Sequence, residues 1–259
     1  MRARSLIVIA ILASAARAEI RDDLRAQLDA QWAVAQKTRT TIDGKLDARA
    51  AERAERARAA YRLLRDPAGS PWVDPAVRMA ALRRRAAARH LLAIDRAEVS
   101  LLADELVRVD ADTARLAADR AIVETIAIPA PDMSWPAKGE ITRHFGTFVH
   151  PDSHATLSRH GLDLDVHAHA EAHAVADGVV RYAGPIRGLD LGVVVDHGSC
   201  WSVTAKLGEL GVTAGDHVAR GQRLGDAATH RLYLELRIPI GIGGMPIDPE
   251  QLLEPKPRD

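Results

Sequence analysis

Two long stretches with helical patterns, separated by a cluster of prolines, constrain the first half of this chain. Residues 21–65 contain no proline and one glycine, and their apolar side chains recur at helical spacing. Residues 66–75 then contain three prolines and a glycine, a combination that interrupts an α-helix. A second helical pattern follows over about residues 76–125. This order predicts two helices joined by a tight turn.

Apolar residues in the second pattern repeat every seven positions in two interleaved series. Such a seam lets two helices pack side by side as a coiled coil. Because the break between the helices is short, we expect an antiparallel coiled-coil hairpin over residues 19–127. A three- or four-helix bundle is the alternative, because alanine-rich segments blur the heptad pattern. The two series are Leu92, Val99 and Leu106, and Leu102, Val109 and Leu116.

Residues 1–18 have the pattern of a signal peptide for export. A positively charged start precedes a short apolar run, and Ala16-Arg17-Ala18 fits a cleavage signal of the A-x-A type. The apolar run is shorter than the ~20 residues that a membrane-spanning helix needs; an uncleaved anchor is the alternative. The single cysteine, Cys200, has no partner for an internal disulfide. We therefore expect a periplasmic protein whose mature form begins at Glu19.

The overall charge argues against one large class of partners. Basic and acidic residues are equal in number, at 35 each, so the chain has no net charge at neutral pH. No global field then attracts the protein to nucleic acid or to a membrane surface. We expect no nucleic-acid partner.

The second half of the chain has the pattern of a small all-β domain. Prolines end the helical pattern within residues 128–134, which we interpret as a linker. Beyond it glycines multiply, and turn residues separate short β-like runs. The domain is expected over residues 135–253, with a tail at residues 254–259. The clearest predicted strands are residues 162–166, 178–182, 192–196 and 232–238.

Several short motifs in this half occur in a specific order. They include His160-Gly161-Leu162-Asp163-Leu164, Ala176-Asp177-Gly178, Asp196-His197-Gly198 and Leu232-Tyr233-Leu234-Glu235-Leu236-Arg237. In this order and spacing the segment resembles the LytM/lysostaphin family of zinc endopeptidases, which cut peptidoglycan cross-links. Together with the helical hairpin, the resemblance implies an α+β chain in which an antiparallel coiled coil precedes an all-β LytM-like domain, the duplicated hybrid motif.

The resemblance also implies which residues stand at the family's zinc site. Active members hold zinc with a histidine, an aspartate four residues later and the second histidine of an H-x-H motif. The aspartate falls on Asp163, whereas the two zinc-binding histidines fall on Arg159 and Tyr233. The catalytic histidines fall on Lys206 and Arg231. Because arginine offers a metal no lone pair, the resemblance implies a degenerate groove that has lost its zinc and its catalytic residues.

The side chains at these positions suggest what replaces the metal. Arg159, Lys206 and Arg231 are expected to bring positive charge towards Asp163, and an arginine fork binds a carboxylate with two hydrogen bonds. A charge inside a groove is costly unless it is paired. We therefore predict an arginine–carboxylate pair at the position of the lost zinc.

Nearby histidines offer another route to metal binding. His160 and His230 adjoin two of the lost positions, but side chains alternate between the faces of a strand, so both are expected to face away from the groove. Loop histidines could form a different metal site, although such residues are more often solvated. They are His154, His167, His169 and His173.

A signal peptide, a coiled-coil hairpin and a degenerate LytM-like domain together resemble the EnvC-type murein hydrolase activators. In that family the coiled coil connects to a membrane complex of the division machinery, and the groove binds an inhibitory helix of an N-acetylmuramoyl-L-alanine amidase. The resemblance implies a non-catalytic periplasmic regulator of peptidoglycan hydrolysis in cell division or septum splitting. The alternatives are an active zinc endopeptidase with unusual ligands and a peptidoglycan-binding scaffold.

Overall fold

A computed structural model of the chain describes residues 2–65, 74–130 and 132–255. It begins with two long helices, α1 (Arg2–Arg65) and α2 (Pro75–Val123). Most of the proline cluster that was predicted to separate them, residues 66–73, lies outside the described residues. In the described part of the chain, neither helix has an apolar stretch long enough to cross a membrane.

The chain divides into two compact units, of which one is the helical segment Asp29–Ala118. Ion pairs in this unit show that its helices are antiparallel: Arg39 pairs with Asp110 at 2.7 Å, and Arg56 pairs with Asp95 at 2.6 Å. A later residue of α1 therefore pairs with an earlier residue of α2, as in antiparallel helices. This confirms the predicted helical hairpin. All six residues of the predicted α2 seam are partly or fully buried.

The other unit comprises Met1–Leu28 and Asp119–Asp259. In this unit, the C-terminal end of α2 is capped by a side chain of α1. Arg21 donates from Nε to the carbonyl oxygen of Val123 at 3.0 Å and from Nη2 to that of Ile126 at 3.3 Å. These bonds satisfy carbonyl groups that have no partner within the helix. Ile20, Leu24 and Val123 bury the apolar side of this junction.

The segment interpreted as a linker packs within this second unit. Ile128 and Met133 are buried, with exposed fractions of 7% and 3%. The Met133 amide donates to the Leu252 carbonyl at 2.9 Å, and the Glu254 amide donates to the Met133 carbonyl at 2.8 Å. The helix α2 already ends at Val123, before Pro129, and the buried Ile128 and Met133 fix the segment against the end of the β region.

The β region of the described residues contains twelve strands and a short 3-10 helix, Pro249–Gln251. The four strands predicted from the sequence are all present. The strands are β1 (Glu140–Arg143), β2 (Gly146–Val149), β3 (Thr156–Arg159), β4 (Leu162–Asp165), β5 (Glu171–His173), β6 (Gly178–Pro185), β7 (Leu191–Asp196), β8 (Trp201–Leu210), β9 (His217–Val218), β10 (Arg223–Ala227), β11 (Arg231–Ile238) and β12 (Met245–Ile247).

Most of these strands form one antiparallel sheet in the order β1-β4-β11-β8-β7-β6-β9. β10 pairs with β5 and β8, β12 pairs with β11, and β2 and β3 form a separate two-stranded sheet. Side chains alternate between the two faces of a strand. On β11 this alternation buries Leu232, Leu234 and Leu236 completely on the core side. We call the opposite side of the sheet, which carries Asp163 and Tyr233, the open face.

Candidate functional site

The site is centred on Asp163, whose position on the open face follows from strand register. Alternation along β4 buries Leu162 and Leu164 on the core side. Asp163 lies directly opposite Tyr233 of β11 and, on its other edge, opposite Arg143 of β1. Asp163 itself is only 5% exposed. A carboxylate this deeply buried needs charged or hydrogen-bonding partners.

Two cations neutralise the Asp163 carboxylate. Lys206 donates from Nζ to Oδ1, and Arg143 donates from Nη1 to Oδ2 at 3.4 Å. The Lys206 side chain is 18% exposed and that of Arg143 is 48% exposed. Lys206 therefore forms the buried part of the cluster and Arg143 its solvent-facing part. With one negative charge between two positive charges, the cluster has a surplus of positive charge.

The arginine that meets Asp163 differs from the two that the sequence predicted. The arginine that contacts the Asp163 carboxylate is Arg143, whose role was not predicted from the sequence. Arg159 instead lies over the ring of Phe148, with Cζ 4.1 Å from the ring centroid, which is a cation–π contact. Arg231 is exposed and lies opposite Asp165, because the register of β11 places it two residues away from the partner of Asp163.

Lys206 reaches Asp163 because β8 is irregular at this residue. The φ angle of Lys206 is +66°, in the left-handed region that residues other than glycine rarely adopt. β8 pairs with β11 before this residue and with β10 after it. The Lys206 amide donates to the Leu189 carbonyl at 2.9 Å, and the Lys206 carbonyl accepts from the Ala228 amide at 3.0 Å. The irregularity breaks the alternation of β8, as a β-bulge does, and brings the ammonium group to the carboxylate.

A second series of hydrogen bonds connects three side chains of β11 on the open face. Tyr233 donates from Oη to Glu235 at 2.9 Å, and Arg237 donates from Nε to the other Glu235 oxygen at 2.7 Å. Glu235 is 4% exposed, so Arg237 compensates a buried charge. The i, i+2 spacing of these three residues in the sequence is the signal that would have placed Glu235 and Arg237 at the site.

The environment of Tyr233 keeps its phenol protonated. Burial, then the negative charge of Glu235 and the hydrogen bond to it, raise the pKa of Tyr233 well above its usual value. The phenol therefore acts as a hydrogen-bond donor to Glu235 and does not present an anionic oxygen.

The side chains around Asp163 do not fit a zinc ion. Zinc needs about four donors with free lone pairs, but both Asp163 oxygens accept from cations. At the positions that correspond to the two zinc-binding histidines of the LytM/lysostaphin family, this chain has Arg159, which is stacked on Phe148, and the protonated phenol of Tyr233. Among the residues that the structure describes, no group of three or more His, Cys, Asp or Glu side chains is placed to hold a metal.

The histidines considered as alternative ligands lie outside the strands of the site. His160 is in the turn between β3 and β4, and His230 immediately precedes β11; both are exposed. Strand alternation, from which they were expected to face away from the groove, therefore does not set the direction of either side chain. His173, which was expected in a loop, is instead the last residue of β5, and its Nε2 lies 3.4 Å from Oε2 of Glu171.

The raised pKa of Tyr233 predicts a loss of stability at alkaline pH. An unfolded chain ionises tyrosine near pH 10, whereas the folded chain keeps this proton. Above about pH 10 the unfolded state therefore binds fewer protons than the folded state, and stability falls by up to about 1.4 kcal/mol per pH unit. We expect Tyr233→Phe to remove the contribution of this phenol to the decrease of stability with pH.

Urea unfolding at about pH 9 and about pH 11, on either side of the ionisation, measures the difference. Tyr61→Phe, at a tyrosine of α1 that is 61% exposed, is the matched control and should retain the wild-type slope. Equal slopes for wild type and Tyr233→Phe would show that Tyr233 does not hold its proton more tightly in the folded state.

Residues 158–249 match the family model of Peptidase family M23. No curated protein sequence matches the chain. The match includes β4, β8 and β11 and therefore covers Asp163, Lys206 and Tyr233.

Several solved structures are similar to about half of this chain. Helicobacter pylori Csd3 is 22% identical, with a TM-score of 0.42, over 48% of this chain and 35% of that protein. A zinc-containing peptidase from Vibrio cholerae is 21% identical, with a TM-score of 0.42, over 46% of this chain and 39% of that protein. The catalytic domain of the prophage-encoded M23 protein EnpA from Enterococcus faecalis is 20% identical, with a TM-score of 0.39, over 46% of this chain and 95% of that domain.

This chain spans well under half of the length of the first two of these proteins. The family match and the observed strands confirm the predicted fold class. The chain is an α+β protein in which a hairpin of two long helices precedes a mostly antiparallel β domain of the LytM type.

Proposed function

We propose that this protein is a non-catalytic periplasmic regulator of peptidoglycan hydrolysis, which activates an N-acetylmuramoyl-L-alanine amidase through the open face around Asp163. A domain of the M23 type implies a peptidoglycan-related function. The choice of a regulator over an enzyme rests on one observation, the contact between the Lys206 ammonium and the Asp163 carboxylate.

This contact supports a binding function because it leaves no free metal ligand at the site. An ammonium group has three donors and no lone pair, so Lys206 competes directly with a metal for Asp163. Neither Lys206 nor Arg143 can act as the Lewis acid that polarises a peptide carbonyl in a zinc peptidase. We therefore propose that the protein carries no zinc and cuts no peptide bond.

The paired charges also support recognition of another protein. Groups on an interface that are fixed by hydrogen bonds set the register of a partner and reject partners of the wrong charge. The open face offers such groups in Lys206 and Arg143, which the buried Asp163 holds in place. We propose that Arg159 and Arg231, at its margin, contribute to binding the amidase.

The helical hairpin gives the protein a second region for contacts. We propose that it connects the LytM-type domain to a membrane division complex, and that peptidoglycan itself is a further ligand. Export to the periplasm belongs to the proposal and is based on the signal-peptide pattern of residues 1–18.

A hydrolysis assay with a purified amidase tests the proposal. We expect the wild-type protein to release no dye from labelled peptidoglycan alone and to accelerate release by the amidase. The double variant Arg159→Glu/Arg231→Glu should need at least about a hundredfold more protein for the same stimulation, because like charges placed against a partner cost several kcal/mol and each ~1.4 kcal/mol is a factor of ten.

Arg96→Glu is the matched control, since Arg96 is an exposed arginine on α2. It should stimulate as well as wild type. Dye release by the wild-type protein alone would identify a peptidase, and the absence of any stimulation would contradict the role of an amidase activator.

A further inference from the structure

We infer that one end of the helical hairpin binds the surface of an anionic phospholipid membrane, with arginines on the lipid phosphates and apolar side chains in the interface. We call this part of the hairpin the basic end; it consists of residues 53–65 and 74–90, on either side of the proline cluster. The inference goes beyond the proposed function, because its ligand is a lipid and its test needs no amidase.

Charge is distributed unevenly along the hairpin. The basic end contains ten arginines and two acidic residues, whereas the rest of the helical unit, residues 29–52 and 91–118, contains seven basic and ten acidic residues. The zero net charge of the whole chain therefore conceals a strongly positive local field. Such a field attracts an anionic surface within about one Debye length, roughly 8 Å at physiological salt.

Several of these arginines have no carboxylate partner in the part of the chain that the structure describes. Arg56 pairs with Asp95 at 2.6 Å and with Glu52 at 3.1 Å. The exposed arginines that form no ion pair with any other described residue include Arg58 and Arg62 of α1 and Arg83, Arg84 and Arg89 of α2. A guanidinium group without a carboxylate partner is free to bind a phosphate with two hydrogen bonds.

Burial shows which side of α2 faces its partner helix. Ala60 of α1 and Ala88 of α2 are buried, with exposed fractions of 6% and 7%. Ala88 precedes Asp95 by two helical turns, and Asp95 pairs with Arg56 of α1, so Ala88 lies on the side that faces α1. Ala86, two positions before Ala88, is exposed and lies on the opposite side, because each residue turns an α-helix by about 100°.

This opposite side, which we call the outer face, combines apolar and basic residues. Its members are spaced three or four positions apart, as on one side of a helix, and all of them are exposed. Met79 is 50% exposed and Leu82 is 47% exposed. The outer face consists of Met79, Leu82, Arg83, Ala86, Arg89 and His90.

A bilayer surface fits this combination better than a soluble anionic polymer does. A polymer would neutralise Arg83 and Arg89 but leave Met79 and Leu82 in water. In a membrane interface, the apolar side chains enter the boundary of the acyl chains, and the long arginine side chains extend to the phosphates. Helices in contact have axes about 8–10 Å apart, so the arginines of α1 add to the positive potential at this surface.

Sedimentation of the full chain with lipid vesicles tests the role of the arginines. We expect binding to vesicles of phosphatidylglycerol and phosphatidylethanolamine and none to vesicles of phosphatidylcholine. Arg83→Glu/Arg89→Glu should weaken binding at least about thirtyfold, as expected for the loss of two arginines from an anionic surface. Arg108→Glu/Arg115→Glu is the matched control, because it makes the same change in charge at exposed positions of α2 outside the basic end. It should change the affinity by less than about threefold, since salt screens distant charges.

A second pair of variants tests the apolar contribution without changing the charge. Met79→Ser/Leu82→Ser should weaken vesicle binding at least about tenfold, because two apolar side chains no longer leave water. Leu101→Ser/Val107→Ser is the matched control on the same helix, at side chains that are each 69% exposed. It should retain the wild-type affinity, and circular dichroism checks that all variants keep their helices.

Three results would overturn the inference: no binding to the phosphatidylglycerol vesicles, equal binding to phosphatidylcholine, or wild-type affinity of Arg83→Glu/Arg89→Glu. Wild-type affinity of Met79→Ser/Leu82→Ser, with displacement from the vesicles by inorganic polyphosphate, would also overturn it and would assign the basic end to a soluble polyanion. Vesicle binding that follows the expected pattern in a protein that stimulates no amidase would support this inference and contradict the proposed function. Stimulation of the amidase without vesicle binding would do the reverse.

Discussion

Replacing Lys206 with methionine is expected to destabilise the LytM-type domain by about 3 kcal/mol. Methionine keeps most of the length of the side chain but removes the ammonium group. Asp163, which is 5% exposed, would then have only the 3.4 Å contact with Arg143. Removing one partner of a buried ion pair costs about 3–5 kcal/mol, and the 18% exposure of Lys206 places this case at the lower end.

Chemical unfolding followed by circular dichroism measures this cost. Asp163→Ala should also destabilise the domain by a few kcal/mol, because it leaves Lys206 without its buried partner. The double variant Lys206→Met/Asp163→Leu is the matched control and should recover most of the loss, since it leaves no buried charge unpaired. A change within about half a kcal/mol for Lys206→Met, typical of a surface substitution, would contradict the structural role of the pair.

The sequence was sufficient to predict the fold and the centre of the site. The heptad series of α2, which begins at Leu92, predicted the helical hairpin, because a long apolar seam has few other uses. The family motifs led to Asp163 and Lys206, and these two residues do meet. The first result depends on the spacing of apolar residues, which a single sequence contains, whereas the second depends on the resemblance to a known family.

The partners of Asp163 depend on strand pairing, which a single sequence does not contain. Arg143 meets Asp163 because β1 pairs with β4, and nothing in the sequence of β1 specifies this register. Arg159 turns to Phe148 because β2 and β3 form their own hairpin. Lys206 adopts a positive φ angle where β8 changes partner strands, a tertiary effect that overrides strand alternation.

The second large effect concerns zinc. The triple variant Arg159→His/Lys206→His/Tyr233→His is expected to bind roughly one zinc ion per chain, because together with Asp163 it supplies a complete ligand set for this metal. The structure supports this design at two of the three positions: Tyr233 lies directly opposite Asp163, and the Lys206 side chain reaches the Asp163 carboxylate. The variant also removes the Lys206 ammonium group, which donates a hydrogen bond to Asp163 Oδ1. A lone pair of this oxygen is then free to bind the metal.

Elemental analysis after dialysis against a zinc salt distinguishes the variants. The wild-type protein should retain less than about a tenth of an equivalent, because it lacks a ligand set. Adding Asp163→Ala to the triple variant is the matched control and should reduce zinc retention strongly, since it removes the one ligand position that this chain has kept. Because metal binding to a folded site stabilises the folded state, the triple variant should also unfold at a higher temperature with zinc than without it. If the wild-type protein itself retained one equivalent that was lost in Asp163→Ala, the Lys206–Asp163 pair would not exclude the metal, and a peptidase would become the better explanation of the site.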